Sequence, residues 1–341
     1  MEAKTQKTID PSAMKTFREK YWMSSHRLGK GGFGKVFLGK RRSDRISVAL
    51  KFVPLLRTRC CEVDGTSKPL EVVALEMVTK DPPFPGIIRM LDFYKTRGAW
   101  VIVTETPENT QDLFHYITTC KRLCEDTARD FLGQVIQALL HCHSRGVVHM
   151  DVKDENLLLD PSTHKLLLID FGSAVFLEPD KVYDTFHGTA VYAPPERLTQ
   201  GCYKALPSEV WSLGILLYDM VHGDIPFQND EEILLGELRF KKDLSEDCVA
   251  LMQWCLSRAP EERPTLKDIL AHPWMSKQDS EMHQGNASAG DPARTRGDLP
   301  RLKNEMQHRP SMLTQGSESP EEPEEEGVSR TPIEKRDGAF I

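Results

Sequence analysis

Residues 1 to about 20 are polar and almost without period, which predicts a flexible leader over 1–21. From Tyr21 the texture changes: apolar and polar positions alternate through 35–40 and 46–53, with Val, Phe and Ile frequent, so both stretches read as strands. Residues 57–69 are polar and irregular and read as loop. Apolar positions at 72, 75, 78 and at 73, 77 then give helical spacing. Asp81-Pro82-Pro83-Phe84-Pro85-Gly86 breaks that helix, and strands follow near 87–94 and 99–104. Glu105-Thr106-Pro107-Glu108 reads as a hinge between a smaller lobe, 22–105, and a larger one, 109–276. Helical spacing returns over 111–118 and strongly over 125–144 (Ala128, Phe131, Leu132, Val135, Ile136, Leu139, Leu140). Leu157-Leu158-Leu159, a polar turn over 160–164, and Lys165-Leu166-Leu167-Leu168-Ile169 predict a short hairpin. Residues 210–218 are apolar nearly all round, which predicts a helix buried at the centre of its lobe. Beyond about 276 the period is lost, and 277–341 reads as a disordered tail with an acidic, proline-broken run over 317–326.

Composition narrows the function without naming it. A hydrophobic content of 39% suffices for a sizeable core, and a net charge of −7 argues against a general nucleic-acid binder while admitting basic partners. The first ten residues lack the apolar core of a signal peptide, and no run approaches the roughly 20 apolar residues that span a bilayer. Glu2 breaks the myristoylation pattern, and the final Gly-Ala-Phe-Ile is no prenylation box. A soluble protein of the cytoplasm and/or nucleus is expected, monomeric and bound to neither membrane nor nucleic acid. The eight cysteines are scattered; Cys120, Cys124 and the His141-Cys142-His143 run have no second half that would complete a metal site, so reduced thiols are the better reading. Asn286-Ala287-Ser288 matches a glycosylation sequon that carries no weight in a chain without a secretory signal.

Chemistry concentrates at three places. Leu28-Gly29-Lys30-Gly31-Gly32-Phe33-Gly34 contains G-x-G-x-x-G, a pattern dinucleotide folds also use. Here a second strand follows where a dinucleotide site needs a helix, so backbone amides free of side chains can approach phosphates. Lys51, in Val48-Ala49-Leu50-Lys51, is one lysine among apolar strand neighbours, placed to pair phosphates; its partner is a glutamate of the next helix, Glu71 or Glu76. His149-Met150-Asp151-Val152-Lys153-Asp154-Glu155-Asn156 and Asp170-Phe171-Gly172 flank the predicted hairpin. One carboxylate to orient a hydroxyl, with an Asp and an Asn to hold Mg²⁺, is the set that phosphoryl transfer from ATP requires. A segment ending in Gly188-Thr189 and Ala193-Pro194-Pro195-Glu196 has the length of an activation segment, and Arg263 is the expected buried partner of Glu196. His143 is read as a packed residue at a helix end.

Over roughly 22–276 the chain resembles a eukaryotic protein kinase and, more narrowly, a PIM-type serine/threonine kinase. The narrower likeness rests on Glu105-Thr106-Pro107-Glu108, Gln111-Asp112-Leu113-Phe114, Lys153-Asp154-Glu155-Asn156, Tyr192-Ala193-Pro194-Pro195-Glu196 and Gly223-Asp224-Ile225-Pro226-Phe227. It implies an α+β, two-lobed protein-kinase fold with a small β-rich N-lobe, a larger mainly helical C-lobe, and Mg-ATP in the cleft. Leu28, Gly29, Gly31, Gly34, Val36, Ala49, Lys51, Glu105 and Pro107 would surround ATP, and the resemblance favours Glu71 over Glu76 as the partner of Lys51. Asp151 would orient the substrate hydroxyl, Lys153 would steady the γ-phosphate, and Asn156 and Asp170 would ligate Mg²⁺. Asp112, Glu155, Asp219 and Asp224 match positions that bind Arg/Lys-rich segments of protein substrates upstream of the phosphoacceptor.

Departures from the family pattern sharpen the expectation. Met150 stands where the family has an arginine that reads activation-segment phosphate, which points to constitutive activity. Pro107 has no N–H to offer adenine. His115 and Gln228 replace carboxylates, Thr104 replaces a larger apolar residue before the hinge, and Glu209 stands where many kinases have Asp. The alternative reading is a kinase-fold scaffold with little catalysis, which Met150 alone favours. A nucleotide-binding oxidoreductase fails because the βαβ pattern is missing.

Overall fold

The computed structural model describes residues 11–31, 34–178 and 180–276. The first ten positions of the expected leader, the expected disordered tail 277–341 and the sequon lie outside the described residues. Elements run in the order α1 (Pro11–Lys20), β1 (Tyr21–Gly31), β2 (Gly34–Arg41), β3 (Ser47–Pro54), β4 (Cys60–Val63), β5 (Thr66–Pro69), α2 (Leu70–Val78), β6 (Met90–Lys95) and β7 (Ala99–Glu105). The second part follows with β8 (Gln111–Asp112), α3 (Leu113–Cys120), α4 (Glu125–Ser144), β9 (Val147–Val148), β10 (Leu157–Asp160), β11 (Lys165–Leu168), β12 (Val175–Phe176), β13 (Val182–Tyr183), α5 (Pro195–Gln200) and β14 (Tyr203–Lys204). It closes with α6 (Ala205–His222), α7 (Asp230–Leu235), α8 (Glu246–Cys255), α9 (Leu266–Ala271) and α10 (Pro273–Ser276).

Five antiparallel strands in the order β1-β2-β3-β7-β6 form the first lobe. Alternation along β3 sends Val48 and Leu50 to one face and Ala49, Lys51 and Val53 to the other. The first face buries Val48 and Leu50 with Val101, Val103, Phe17 and Tyr21. The second faces α2, whose Val72, Ala74, Leu75 and Val78 join Val53 and Ile102 in a core that continues into α4 and α6. Lys51 is therefore carried to the interior side of the sheet by the strand's own period. α6, with Ser208 to Val221 buried throughout, is the central post of the second lobe. The β10–β11 hairpin forms with Leu157 opposite Leu168.

Two segments depart from the sequence reading. Pro11–Lys20 is helical where a flexible leader is expected, because Phe17 packs edge-on against Phe52 and Tyr94 and beside Tyr21. Lys20 adds a 2.7 Å ion pair to Asp92, and Tyr21 donates a short hydrogen bond to the same carboxylate. One buried aromatic outweighs the polar positions around it. Residues 57–69, read as loop, contain the β4–β5 hairpin. Its turn, Asp64-Gly65, has both residues at positive φ, the two-residue pairing that matches strand twist. That dipeptide was the signal, obscured by polar strands with little burial.

If α1 is docked as described, Phe17→Ala should cost the first lobe about 3 kcal/mol, the usual cost of removing a buried aromatic ring. Urea unfolding followed by the fluorescence of Trp22 and Trp100 would measure it. A change below ~0.5 kcal/mol, typical of surface substitutions, would mean that the helix contributes nothing.

Candidate active site

Lys51 Nζ donates to Glu71 Oε1 at 2.7 Å and to Asp170 Oδ1 at 2.6 Å, joining β3, α2 and the segment after β11. Glu71 is buried in the first turn of α2, whereas Glu76 lies farther along and bonds Lys68 at 2.9–3.0 Å. Helix position thus separates the two candidate glutamates. Asp170 adopts a left-handed backbone, φ 60° and ψ 82°, and its Oδ1 also accepts from Gly172 N at 3.0 Å. Such a conformation is costly outside glycine and persists where the surroundings enforce it. Burial opposes charge on all these groups. It would lower the Lys51 pKa, but Asp170 and Glu71 outweigh it and hold the ammonium above its usual range. Burial would raise the Asp170 pKa, yet Lys51 holds that carboxyl below its usual range.

The segment 149–156 is fixed from below. His149 N donates to Glu209 Oε1 at 2.9 Å, and the other oxygen of Glu209 meets His143 Nε2 at 2.6 Å. The His149 ring bridges Asp151 N, at 3.3 Å, and Ile169 O, at 3.0 Å, with its edge on Phe171 at a centroid distance of 4.8 Å. Asn156 Nδ2 donates to both the backbone carbonyl and Oδ2 of Asp151, at 2.8 and 3.0 Å. Thr189 donates from N and Oγ1 to Asp151 Oδ1, at 2.8 and 2.7 Å, while its hydroxyl accepts from Lys153 Nζ at 2.8 Å. A carboxylate has about four lone-pair sites, so an incoming hydroxyl can still be oriented by Asp151. Burial works against charge on Lys153, but Asp151 and Glu155 overcome it and raise its pKa.

The donor set fits Mg-ATP. Ile169 N bonds Asn156 O at 3.0 Å across the hairpin's open end, so Asn156 and Asp170 are neighbours. The bonds that orient these side chains engage Asn156 Nδ2 and Asp170 Oδ1, which leaves Asn156 Oδ1 and Asp170 Oδ2 as hard oxygen ligands. No group of three or more His, Cys, Asp or Glu residues suited to a metal occurs among the described residues. Mg²⁺ needs none, because it takes one or two protein ligands and completes its shell with phosphate oxygens and water. On the glycine turn, Gly29 has open space where a Cβ would stand, and Gly31 pairs with Gly34. A Cβ at Gly34 would lie 2.1 Å from Phe52 O, so only glycine allows this approach to β3. Leu28 is 41% exposed at the mouth, Val36 pairs with Lys51, Ala49 pairs with Thr104, and Val48 pairs with Glu105. Glu105 N and Oε1 are engaged by Arg89, and Pro107 O accepts from Thr110 Oγ1 at 3.1 Å.

The proposed substrate acids separate. Glu155 is exposed and pairs with Lys153 at 2.7 Å; Asp112 caps α3 through His115 N at 2.7 Å; Asp224 is exposed beside Gln228. Asp219 differs from them in depth: it lies within α6 and is 1% exposed. Position in a motif did not reveal depth in the fold.

The Arg263–Glu196 pair at the end of the activation segment was expected, but sequence reasoning missed the packing that holds the rest of it. Met150, φ 66° and 5% exposed, packs with Val148, Val175, Tyr203 and Ala205, and with Tyr183 and Phe186 from the segment itself. A Cβ on Gly188 would lie 2.6 Å from Met150 O, so the segment's close return over Met150 requires glycine. Its far end is fixed by Arg263, which bonds both oxygens of Glu196 at 2.9 and 2.6 Å in a buried, bidentate pair. The Gly188-Thr189 pair was visible, but the bond from Thr189 to Asp151 spans too long a stretch of chain for local spacing to show it.

The protein kinase domain family matches residues 22–275. Serine/threonine-protein kinase pim-2 of Danio rerio is 46% identical over 265 residues, covering 75% of this chain and 85% of that protein. Serine/threonine-protein kinase prk-2 of Caenorhabditis elegans is 36% identical over 267 residues, covering 77% and 59%. Serine/threonine-protein kinase PSK1 of Saccharomyces cerevisiae is 34% identical over 262 residues, covering 74% and 19%. The chain belongs to the protein kinase family, as a PIM-type serine/threonine protein kinase.

Two outcomes follow from the buried pairs. Arg263→Ala should destabilise the second lobe by about 3–5 kcal/mol, since it strands the Glu196 carboxylate; a loss near zero in chemical denaturation would contradict the buried pair. Burial would lower the His143 pKa, but Glu209 outweighs it and raises it above the usual 6.5. The pair's stability is therefore fully present below about pH 6.5 and fades as pH rises through the higher folded value. Melting midpoints measured across that window should fall in the wild type and flatten in His143→Gln.

Proposed function

We propose that this chain transfers phosphate from Mg-ATP to serine or threonine hydroxyls on proteins carrying basic residues upstream, and does so without phosphorylation of its own activation segment. The observation that carries the reading is Lys51 bonded at once to Glu71 and Asp170, beside an Asp151 oriented by Asn156 and Thr189. A site assembled in this way has its charged groups aimed before a substrate arrives, which is where most of phosphoryl-transfer catalysis resides. Mg-ATP, when bound, supplies the transferable group and the cation that offsets its charge. Lys51 would hold the phosphates, with Glu71 fixing the ammonium in place. Asp170 and Asn156 would hold Mg²⁺. Asp151 would orient the acceptor hydroxyl and take up its proton, and Lys153, already on the Thr189 hydroxyl, would steady the outermost phosphate.

Constitutive activity is supported by the packing of position 150. An arginine there answers to a phosphate; Met150 instead answers to Tyr183, Phe186 and Tyr203, contacts always available to the chain. Basic preference is supported by the exposed carboxylates of Glu155 and Asp224 and by Asp112 on β8, which pairs with β10 through Asp112 and Leu158, close after the catalytic segment. Glu155 must exchange Lys153 for a substrate arginine, and such charged contacts at an exposed surface weaken as salt rises. The scaffold alternative has only Met150 in its favour, and Met150 displaces no phosphate or metal ligand.

Phosphate transfer to an arginine-rich serine peptide should be robust in the wild type. Asp151→Asn and Lys51→Met should each lower kcat by about a hundredfold or more, and the KM for the peptide should rise with ionic strength. Mg-ATP binding without transfer would support the scaffold instead. Because Thr104 pairs with Ala49 beside the hinge, Thr104→Leu should weaken ATP-site inhibitors that carry bulky groups while sparing small ones. Equal affinity for both forms would remove Thr104 from the pocket wall.

A further inference from the structure

Arg59 lies just ahead of β4 and bonds the backbone beside both partners of Lys51 through different atoms. Register in the β4–β5 hairpin places Cys60 opposite Pro69, which brings the next residues outward, Arg59 and Leu70, together. Leu70 N, the first amide of α2, donates to Arg59 O at 2.8 Å, one residue before Glu71. The side chain reaches the other way. Its terminal nitrogen donates to Gly172 O at 2.8 Å and to Ala174 O at 2.9 Å, the carbonyls that follow Asp170. The same turn is closed internally by Gly172 N on Asp170 Oδ1 and by Ala174 N on Phe171 O. Arg59, Glu71 and Gly172 also share the wall of one cavity of about 20 Å³, with Val53, Leu70 and Ile102.

We propose that Arg59 is a positioning residue, a brace that holds the start of α2 and the turn after Asp170 in the one arrangement where Glu71 and Asp170 both meet Lys51. The guanidinium is suited to this task because its charge persists despite burial and its planar donors satisfy two carbonyls at once. The brace comes from the first lobe, so it couples that lobe to the activation segment. It engages backbone carbonyls, which are present in every chemical state of the segment. Met150 packs the segment from below, and Arg59 ties its first residues to α2. Together they supply from within the chain the restraint that an arginine-bound phosphate would otherwise give.

Removing the brace should lower the fraction of molecules with the three charged groups assembled. A ligand that binds only the assembled state then binds more weakly in proportion to that fraction. The test uses the full chain with Arg59→Met, which keeps the stem and removes the donors. Mg-ATP binding by calorimetry should weaken about tenfold, the factor that 1.4 kcal/mol represents, while the KM for a peptide substrate stays unchanged. In the nucleotide-free protein, amide exchange should quicken over 170–176 and at the start of α2 but not in α6. Arg59→Lys, a shorter and more strongly hydrated cation without the planar fork, should fall between the two.

Unchanged Mg-ATP affinity and unchanged exchange over 170–176 would overturn the proposal. So would faster exchange spread evenly through α6, which would make Arg59 a stability residue only. If Arg59→Met does not fold, Arg59→Lys decides by the same two readings. The mechanism rests on the phosphotransfer reading, yet binding and exchange are measured without turnover. A wild type that binds Mg-ATP without transferring phosphate would count against that reading and leave this test intact.

Discussion

An ammonium carried into a protein interior must meet carboxylates or lose its charge, and in this molecule that constraint organises the site. Lys51 is delivered inward by strand alternation, and its two partners come from different parts of the chain, Glu71 on α2 and Asp170 beyond β11. Neither can be satisfied unless α2 is docked and the turn after β11 is formed. Burial that would penalise each charge singly becomes tolerable only for the set. Through Asp170 the constraint extends to Asn156 and Asp151, across the hairpin whose open end is closed by Ile169 N on Asn156 O.

Around this set, the structure uses packing where charge would have been an option. The position that carries a phosphate-reading arginine in the family carries Met150, buried against aromatic side chains of the activation segment. Charge is kept for the ends: Arg59 on the carbonyls of Gly172 and Ala174, and Arg263 on Glu196. Apolar packing has no switch in it. On the proposed reading, a segment held in this way needs no phosphate to be positioned.

Much of the candidate site was legible because it is local. Lys51 sits on a strand with clear alternation, and Asn156 and Asp170 flank a hairpin whose two apolar runs and polar turn are contiguous. Where competing residues stood close together, as with Glu71 and Glu76, periodicity alone left both open; the resemblance favoured Glu71, and the docking of α2 brings it to Lys51. What stayed hidden was long-range or depended on depth. The bond from Thr189 to Asp151, the Arg59 brace and the Glu209 link to His143 and His149 join residues far apart in the chain. Asp219 looked in sequence like the exposed Asp224 but is buried within α6, and Phe17 was one aromatic in a polar stretch whose partners lie on β3 and β6.

The central claim is that the chain's own packing assembles the site. The most direct measurement compares initial rates of peptide phosphorylation before and after phosphatase treatment, with mass spectrometry confirming that residues 172–196 carry no phosphate. The account predicts the same kcat for both preparations. A rate that collapses on dephosphorylation and returns on rephosphorylation would contradict it, and would show that the apolar cluster around Met150 does not by itself hold the segment in place.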